Sequence, residues 1–349
     1  MSQDIDLAVV GAGPAGSSAA EAAAAAGLSV WLIDKKSEIG SPVQCGGFLP
    51  EVLELEKLLP SAELPRALAD IPERIILCRT SLQRIYSPSG SFKEFPVVGR
   101  VIDRRAFDRH LAHRAAIAGA RVLPATRARL AEGQLQLSGR FGGPARPKVI
   151  IGADGPHSSV SRAMGNPVQE TGICLEYEMV DVDIDPRAAE MYFSARYAPG
   201  GYAWIIPLGR DSANVGVGVR ASYLSGEKLP QILDCFIAHH PLAREKLAGG
   251  EAVAVMRGAV PAGGSPSAIM KDNLLLAGDA AGQVMATSGG GIPLAIVGGW
   301  IAGQAAAAYL RGEQRLEDYP SRINREFGIQ LSRSVQIRKM VDLAMKSDR

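Results

Sequence analysis

Aromatic side chains are scarce in this 349-residue chain, at 5% of its residues, and cysteines number only four. Cys45, Cys78, Cys174 and Cys235 stand far apart without a C-x-x-C pair, which argues against a zinc ribbon, a thioredoxin-type site and a disulfide framework. Neither sign of charge dominates. Lys and Arg total 38 against 36 Asp and Glu, a formal +2, and no basic strip interleaved with aromatics offers a surface to nucleic acid. No uninterrupted apolar run reaches the roughly 18 residues that suit a spanning helix. The opening MSQDIDLAVV lacks the basic start and small-residue cleavage site of a secretory signal. A cytosolic protein is expected, with contact at a membrane surface left open. The five histidines show neither triad nor metal-ligand spacing, so no metal site is assigned.

What the chain does have is a 47% apolar share, ample for a sizeable core, and 39 glycines placed in a few informative stretches. The run DLAVV leads into Gly11-Ala12-Gly13-Pro14-Ala15-Gly16 and a helix of small residues expected through Ala26. This is G-x-G-x-x-G in the strand, turn and helix setting the motif requires. Gly11 permits the tight turn, Gly13 lets a pyrophosphate approach the backbone, and Gly16 lets helix and strand pack closely. The helix start offers its free N–H groups to the anion. A second strand, expected over 28–33, ends in Asp34, where an acid accepts hydrogen bonds from ribose hydroxyls and disfavours a 2′-phosphate. FAD or NAD is therefore expected rather than NADP.

Two later stretches join this motif. VIIGADG, residues 149–155, ends a strand in Gly-Ala-Asp-Gly and precedes a serine-rich segment closing on Ser161 and Arg162. NLLLAGDAAGQ, residues 273–283, is another strand meeting a turn, followed by Gly289, Gly290 and Gly291. With the first motif these stretches resemble the FAD-binding proteins of the aromatic hydroxylase type, in which the chain returns to its first domain to complete the flavin site. More closely, the chain resembles the geranylgeranyl reductase family, including archaeal digeranylgeranylglycerophospholipid reductases. EIGSPVQCGG (38–47), YAWIIP (202–207, like the family's Y-x-W-x-F-P signature) and GDAAGQ with GGGI carry the likeness. Asp34 departs from it, standing where a longer Glu is common.

The resemblance implies an α/β fold: a Rossmann-like FAD-binding domain of the two-dinucleotide-binding type, an antiparallel substrate sheet and carboxyl-terminal helices. The expected division puts 1–50, 99–165 and 270–312 in the FAD domain, 51–98 and 166–269 in the substrate domain, and 313–349 in a helical tail. To the cofactor it assigns Gly11, Gly13, Ala15, Gly16, Asp34, Cys45, Gly46, Phe48, Arg104, Ala128, Asp154, Asp279, Gly291 and Ile292. Asp279 would cap the ribityl and pyrophosphate region, and Gly289 to Ile292 would open a helix facing the flavin pyrimidine edge, whose negative charge on reduction an N-terminal helix dipole favours. Arg104 lies in an R-x-x-F-D element near the phosphates, and Ala128 would meet adenine through its backbone.

The activity implied is hydride transfer from reduced flavin to isolated double bonds of a prenyl lipid. Cys45 would donate the proton or gate the ring. Tyr202 and Trp204, two apart on a strand and so on one face, would wall an apolar tunnel. NADPH, a ferredoxin and another reduced carrier all stay open as electron donor. Rival readings are a flavin monooxygenase of the aromatic hydroxylase type and a non-catalytic flavin- or lipid-binding electron-transfer protein.

Local patterning adds a helix over 51–59, strands over 74–78 and 82–87, and antiparallel strands such as ANVGVGV (213–219) in the substrate sheet. The tail from residue 321 carries seven basic against three acidic residues and spaced apolar side chains. Two outcomes are open for it, a helix lying on anionic lipid or one packed on the core with a solvated face.

Overall fold

A computed structural model describes residues 3–131, 134–224 and 226–345. Among the described residues the strands form two eight-stranded sheets. In the first, the strands Leu274–Leu276, Gly143–Gly152, Gln3–Val10, Val30–Ile33 and Arg121–Leu123 lie side by side and parallel. The apolar runs of Leu274–Leu276, Gly143–Gly152 and Gln3–Val10 are buried on both faces, as a central parallel strand requires. The carboxyl ends of Gln3–Val10, Gly143–Gly152 and Leu274–Leu276 line up, so the turns at Gly11, Ala153 and Ala277 share one rim. Gly11 donates its N–H to the Ile33 carbonyl at 2.7 Å, Ala153 to Val10 at 2.8 Å and Ala277 to Gly152 at 3.0 Å.

The alanine-rich helix Pro14–Ala25 packs against the long helix Ile292–Leu310, and glycines set how close they come. A Cβ on Gly299 would fall 2.0 Å from the Ala15 carbonyl oxygen, and one on Gly303 would fall 2.3 Å from that of Ala19. The two backbones touch because both partners lack bulk. By length and composition Ile292–Leu310 would also suit a membrane span, yet 78% of its apolar window is buried inside the protein.

The second sheet runs Glu251–Pro261, Thr171–Val180, Ser212–Arg220, Tyr202–Pro207, Ala188–Tyr192, Ile76–Tyr86, Phe92–Ile102 and Phe48–Pro50. All neighbours are antiparallel except Ala188–Tyr192 with Ile76–Tyr86. One face buries Leu175, Met179, Val215 and Val217 against Phe236 of the helix Leu229–His239. The opposite face, bearing Cys174, Glu176, Asn214, Tyr202 and Trp204, turns toward the first sheet's rim.

The expected pair of strands over 74–78 and 82–87 is one strand, Ile76–Tyr86, whose register shifts between Ile76 and Cys78 and again between Thr80 and Leu82. Each irregularity inserts an unpaired residue and breaks the period-two pattern that sequence reading follows. The strand Phe92–Ile102 runs through the boundary expected after residue 98, and Phe48–Pro50 pairs with it. The tail buries Tyr319, Ile323, Phe327 and Leu331 in the first core, with the Tyr319 hydroxyl donating to the Leu276 carbonyl at 2.6 Å. Its last helix, Ile329–Met345, is therefore docked along one face.

Candidate active site

At the rim of the first sheet the glycines divide into two kinds. Gly11 has φ of +104°, and a Cβ there would meet the Ala153 carbonyl oxygen at 2.2 Å; one on Gly16 would meet the Gly11 carbonyl oxygen at 1.8 Å. Both are needed by the protein itself. Gly13, in contrast, has an ordinary φ of −77°, and a Cβ there would touch nothing within 4 Å. No neighbouring atom of the protein requires a glycine there. Ala15 is buried against Gly278 and Gly299, so it fixes the helix rather than facing open space.

Asp34 does more than await a ribose. Its Oδ2 accepts the Ala12 N–H at 2.7 Å and its Oδ1 the Lys36 N–H at 2.8 Å, so the carboxylate holds the first glycine turn in shape. Ala128 is buried in the strand Thr126–Ala131, whose first residue donates its N–H to the Asp34 carbonyl at 2.8 Å. Asp154 lies beside Gly11. Its Oδ2 accepts from the N–H and hydroxyl of Ser159, both at 2.7 Å, while its Oδ1 is buried without a partner. An orphaned acceptor next to a bare glycine fits a dinucleotide whose hydroxyl groups supply the missing donor.

The glycine segment closes the other side. Gly291 caps the helix Ile292–Leu310, with the Asp279 Oδ1 3.6 Å from where a Gly291 Cβ would stand. Burial pushes Asp279 up to about 6, against the pull of the Arg104 guanidinium. Arg104 opens the helix Arg104–Ile117, and its fork is held by Asp108, Nε to Oδ1 at 3.1 Å and Nη2 to Oδ2 at 3.2 Å. Burial alone would lower Arg104, but Asp108 and Cys45 beside it raise it above its ordinary value.

The Cys45 loop crosses from one sheet to the other. Gly47 donates its N–H to the Cys45 sulfur at 3.4 Å, and the Arg104 guanidinium lies near the same sulfur. A Cβ on Gly46 would press on Ile206 at 2.7 Å and on the Asn214 Oδ1 at 3.0 Å, so the loop rests directly on the substrate sheet. Phe48 follows and packs its ring over Gly99.

Tyr202 and Trp204 share the sheet face, their ring centroids 5.8 Å apart and tilted by 58°. The Tyr202 hydroxyl donates to the Ser288 carbonyl, tying this sheet to the glycine segment. Trp204 is only 8% exposed, lies across Gly216 and Gly218, and donates its indole N–H to the Asn214 Oδ1 at 2.7 Å. Its ring is thus a buried platform on that sheet face. A surface cleft of about 390 Å³ is lined by Arg74, Ile75, Ala106, Arg109, His110 and His113.

Sequence reading missed Glu176, Asn214 and Cys174. Alternation in ICLEYEMV puts Cys174, Glu176 and Glu178 on one face of their strand, and an acid at every second place there reads as a solvated face. The structure covers that face with the Cys45 loop and Trp204, leaving Glu176 1% exposed. Burial pushes Glu176 up to about 7, and burial with the neighbouring Glu176 and Cys45 pushes Cys174 up to about 12. Alternation identifies the face; only the tertiary cover makes it a site.

Comparison with known proteins agrees with this geometry. The geranylgeranyl reductase catalytic domain family matches residues 170–260, and an NAD(P)-binding Rossmann-like domain family matches 9–46. Digeranylgeranylglycerophospholipid reductase 2 of Methanopyrus kandleri is 38% identical, covering 93% of this chain and 83% of its own. The reductase of the same name from Methanocella arvoryzae is 34% identical, covering 98% and 88%. A geranylgeranyl bacteriochlorophyll reductase-like protein of Thermoplasma acidophilum superposes with a TM-score of 0.86 at 31% identity, covering 98% of this chain and 89% of that one.

Proposed function

The chain belongs to the geranylgeranyl reductase family, and from that premise we propose that it saturates double bonds of prenyl chains in membrane-lipid precursors of the digeranylgeranylglycerophospholipid class, with FAD as cofactor. The observation that carries the reading is the meeting of three distant segments, the Cys45 loop, the strand bearing Tyr202 and Trp204, and the Asp279 to Ile292 turn. Reduced FAD supplies the hydride and its two electrons. An isolated alkene offers no carbonyl to polarise, so what remains for the protein is placement, shielding from water and one proton.

Each element has a task suited to its geometry. Gly13 and the start of the helix Pro14–Ala25 receive the pyrophosphate, and Asp154 Oδ1 and Asp279 accept hydroxyl groups. Gly291 and Ile292 present a helix start to the pyrimidine edge. Trp204 and Tyr202 form the floor on which an isoprene unit lies. Anaerobic protein reduced with dithionite should convert a digeranylgeranylglycerophospholipid to products heavier by two hydrogens per double bond, read by mass spectrometry. Hydroxylated product under air with no saturation would sink the proposal and favour the monooxygenase.

The Cys45 sulfur accepts the Gly47 N–H at 3.4 Å, which supports a role for Cys45 in positioning the ring and its own loop. Cys45→Ser should keep FAD bound and slow reduction about tenfold, since a hydroxyl is smaller and accepts at shorter range. Full activity in that variant would remove Cys45 from the site.

The lipid is met at the membrane surface through the outer face of the helix Ile329–Met345. Ile329, Ile337, Met340 and Leu343 recur there at helical spacing, 46–68% exposed, with Arg333 and Lys339 beside them. Apolar teeth flanked by cations suit an anionic bilayer interface. Replacing Ile337 and Met340 together with Glu should cut sedimentation with anionic vesicles at least tenfold while FAD content holds. Unchanged sedimentation would place the contact elsewhere.

A further inference from the structure

Saturating an alkene requires a proton at the carbon next to the one that takes the hydride. Resting on the proposed reduction, we infer that Glu176 is the acid that holds this proton and gives it up.

Four observations carry the assignment. First, Glu176 faces the same side of its sheet as Tyr202 and Trp204 and sits opposite Gly216 in the neighbouring strand. A Cβ on Gly216 would lie 2.3 Å from the Trp204 ring and 2.9 Å from the Glu176 Cβ, so the missing side chain makes room for the indole beside Glu176. Second, Glu176 is 1% exposed and its Oε2 is buried without a partner. A buried carboxylate with one oxygen unpaired is costly, whereas a carboxylic acid leaves a proton on an oxygen that nothing else engages. Third, Asn214 accepts the indole N–H through Oδ1, so its amide nitrogen is free to donate toward Glu176. That arrangement steadies the carboxyl without consuming its proton. Fourth, the Cys45 loop lies over this face, a Cβ on Gly46 falling 3.0 Å from the Asn214 Oδ1, which helps to keep water from the Glu176 carboxyl.

The charged and titratable neighbours are consistent with this role. Cys174 and Glu178 lie on the same strand, Tyr202 and Asn214 on the two strands beyond, and Arg104 reaches over from the first domain; Met256, opposite on the other side, is apolar. Burial with Glu178 keeps a large share of the acid protonated up to about pH 7, and Arg104 with Asn214 limits the cost of the carboxylate left behind. In each turnover the O–H bond of Glu176 breaks and a C–H bond forms on the alkene carbon beside the hydride-accepting one. Water returns the proton to the carboxylate, and reduced FAD supplies both electrons.

The test compares FAD-loaded wild type with Glu176→Gln and Glu176→Asp. Infrared difference spectra, wild type minus Glu176→Gln, should show a carboxylic-acid carbonyl band that disappears as pH rises through about 7. Single-turnover reduction of a digeranylgeranylglycerophospholipid by Glu176→Gln should be about 100-fold slower, in the range for a lost general acid, and Glu176→Asp should recover part of it. Wild type should slow as pH rises through neutrality, and that alkaline limb should vanish in Glu176→Gln but persist in Cys45→Ser. A missing band, or a Glu176→Gln variant with wild-type rate and pH profile, overturns the assignment and leaves the reductase reading standing. Wild type that reduces no prenyl lipid overturns the reductase reading itself.

Discussion

Gly13→Val is expected to give a folded protein that cannot hold FAD, and Gly16→Ala one that barely folds. The two glycines share one motif, but different neighbours require them. At Gly13 the backbone is extended, with φ −77° and ψ −171°, a conformation valine adopts readily, and a Cβ there meets no protein atom within 4 Å. Stability should change by no more than about 0.5 kcal/mol, as at an open surface position. The added isopropyl group fills the space that a pyrophosphate needs, and affinity for FAD should fall at least 100-fold, about 2.7 kcal/mol. At Gly16 a Cβ would stand 1.8 Å from the Gly11 carbonyl oxygen, a backbone atom that cannot step aside. Overpacking of that kind should cost about 3 kcal/mol or more. Thermal unfolding followed by circular dichroism, with FAD fluorescence for binding, separates the two. A Gly13→Val protein that is yellow when purified would mean the pyrophosphate does not pass over that turn.

That contrast also marks what a sequence can disclose. The G-x-G-x-x-G motif, the second strand and the Gly289 to Gly291 turn were legible because each depends on residues close together in the chain. The alternation of 213–219 likewise gave a strand with one covered face, as found in Ser212–Arg220. Three things escaped for reasons of tertiary origin. The strand Ile76–Tyr86 is bent by two register shifts that scramble its period, so it reads as two pieces. Asp34 was read for its ligand alone, although its carboxylate takes the Ala12 and Lys36 N–H groups, partners that appear only once the turn is folded. Glu176 is the extreme case. Nothing local separates it from Glu178 two places on, and only the cover above it does.

The same burial makes a second large effect measurable in cofactor-stripped protein. Glu176 is pushed up from 4.5 to about 7 and Asp279 from 3.8 to about 6, both chiefly by burial. Between its unfolded and folded values each carboxyl is protonated in the native chain and ionised in the unfolded one. The unfolded state then binds fewer protons, so stability is fully present below the unfolded value and falls as pH rises through the folded one. For Glu176 the fall amounts to about 3 kcal/mol between pH 4.5 and 7, with no further loss above. Glu176→Gln keeps the shape and cannot ionise. It should match wild type near pH 5 and exceed it by about 3 kcal/mol at pH 8, read from urea midpoints at the two values. His110 and His240, lowered by burial, work in the opposite direction, gaining stability as pH rises through the histidine range. A wild-type profile alone would mix these contributions, whereas the difference between wild type and Glu176→Gln isolates one carboxyl. Parallel profiles for the two proteins would mean that Glu176 is ionised when folded, and an ionised Glu176 has no proton to give an alkene. A divergence that opens between pH 5 and 7 would mean the fold itself sets aside stability to keep that proton in place.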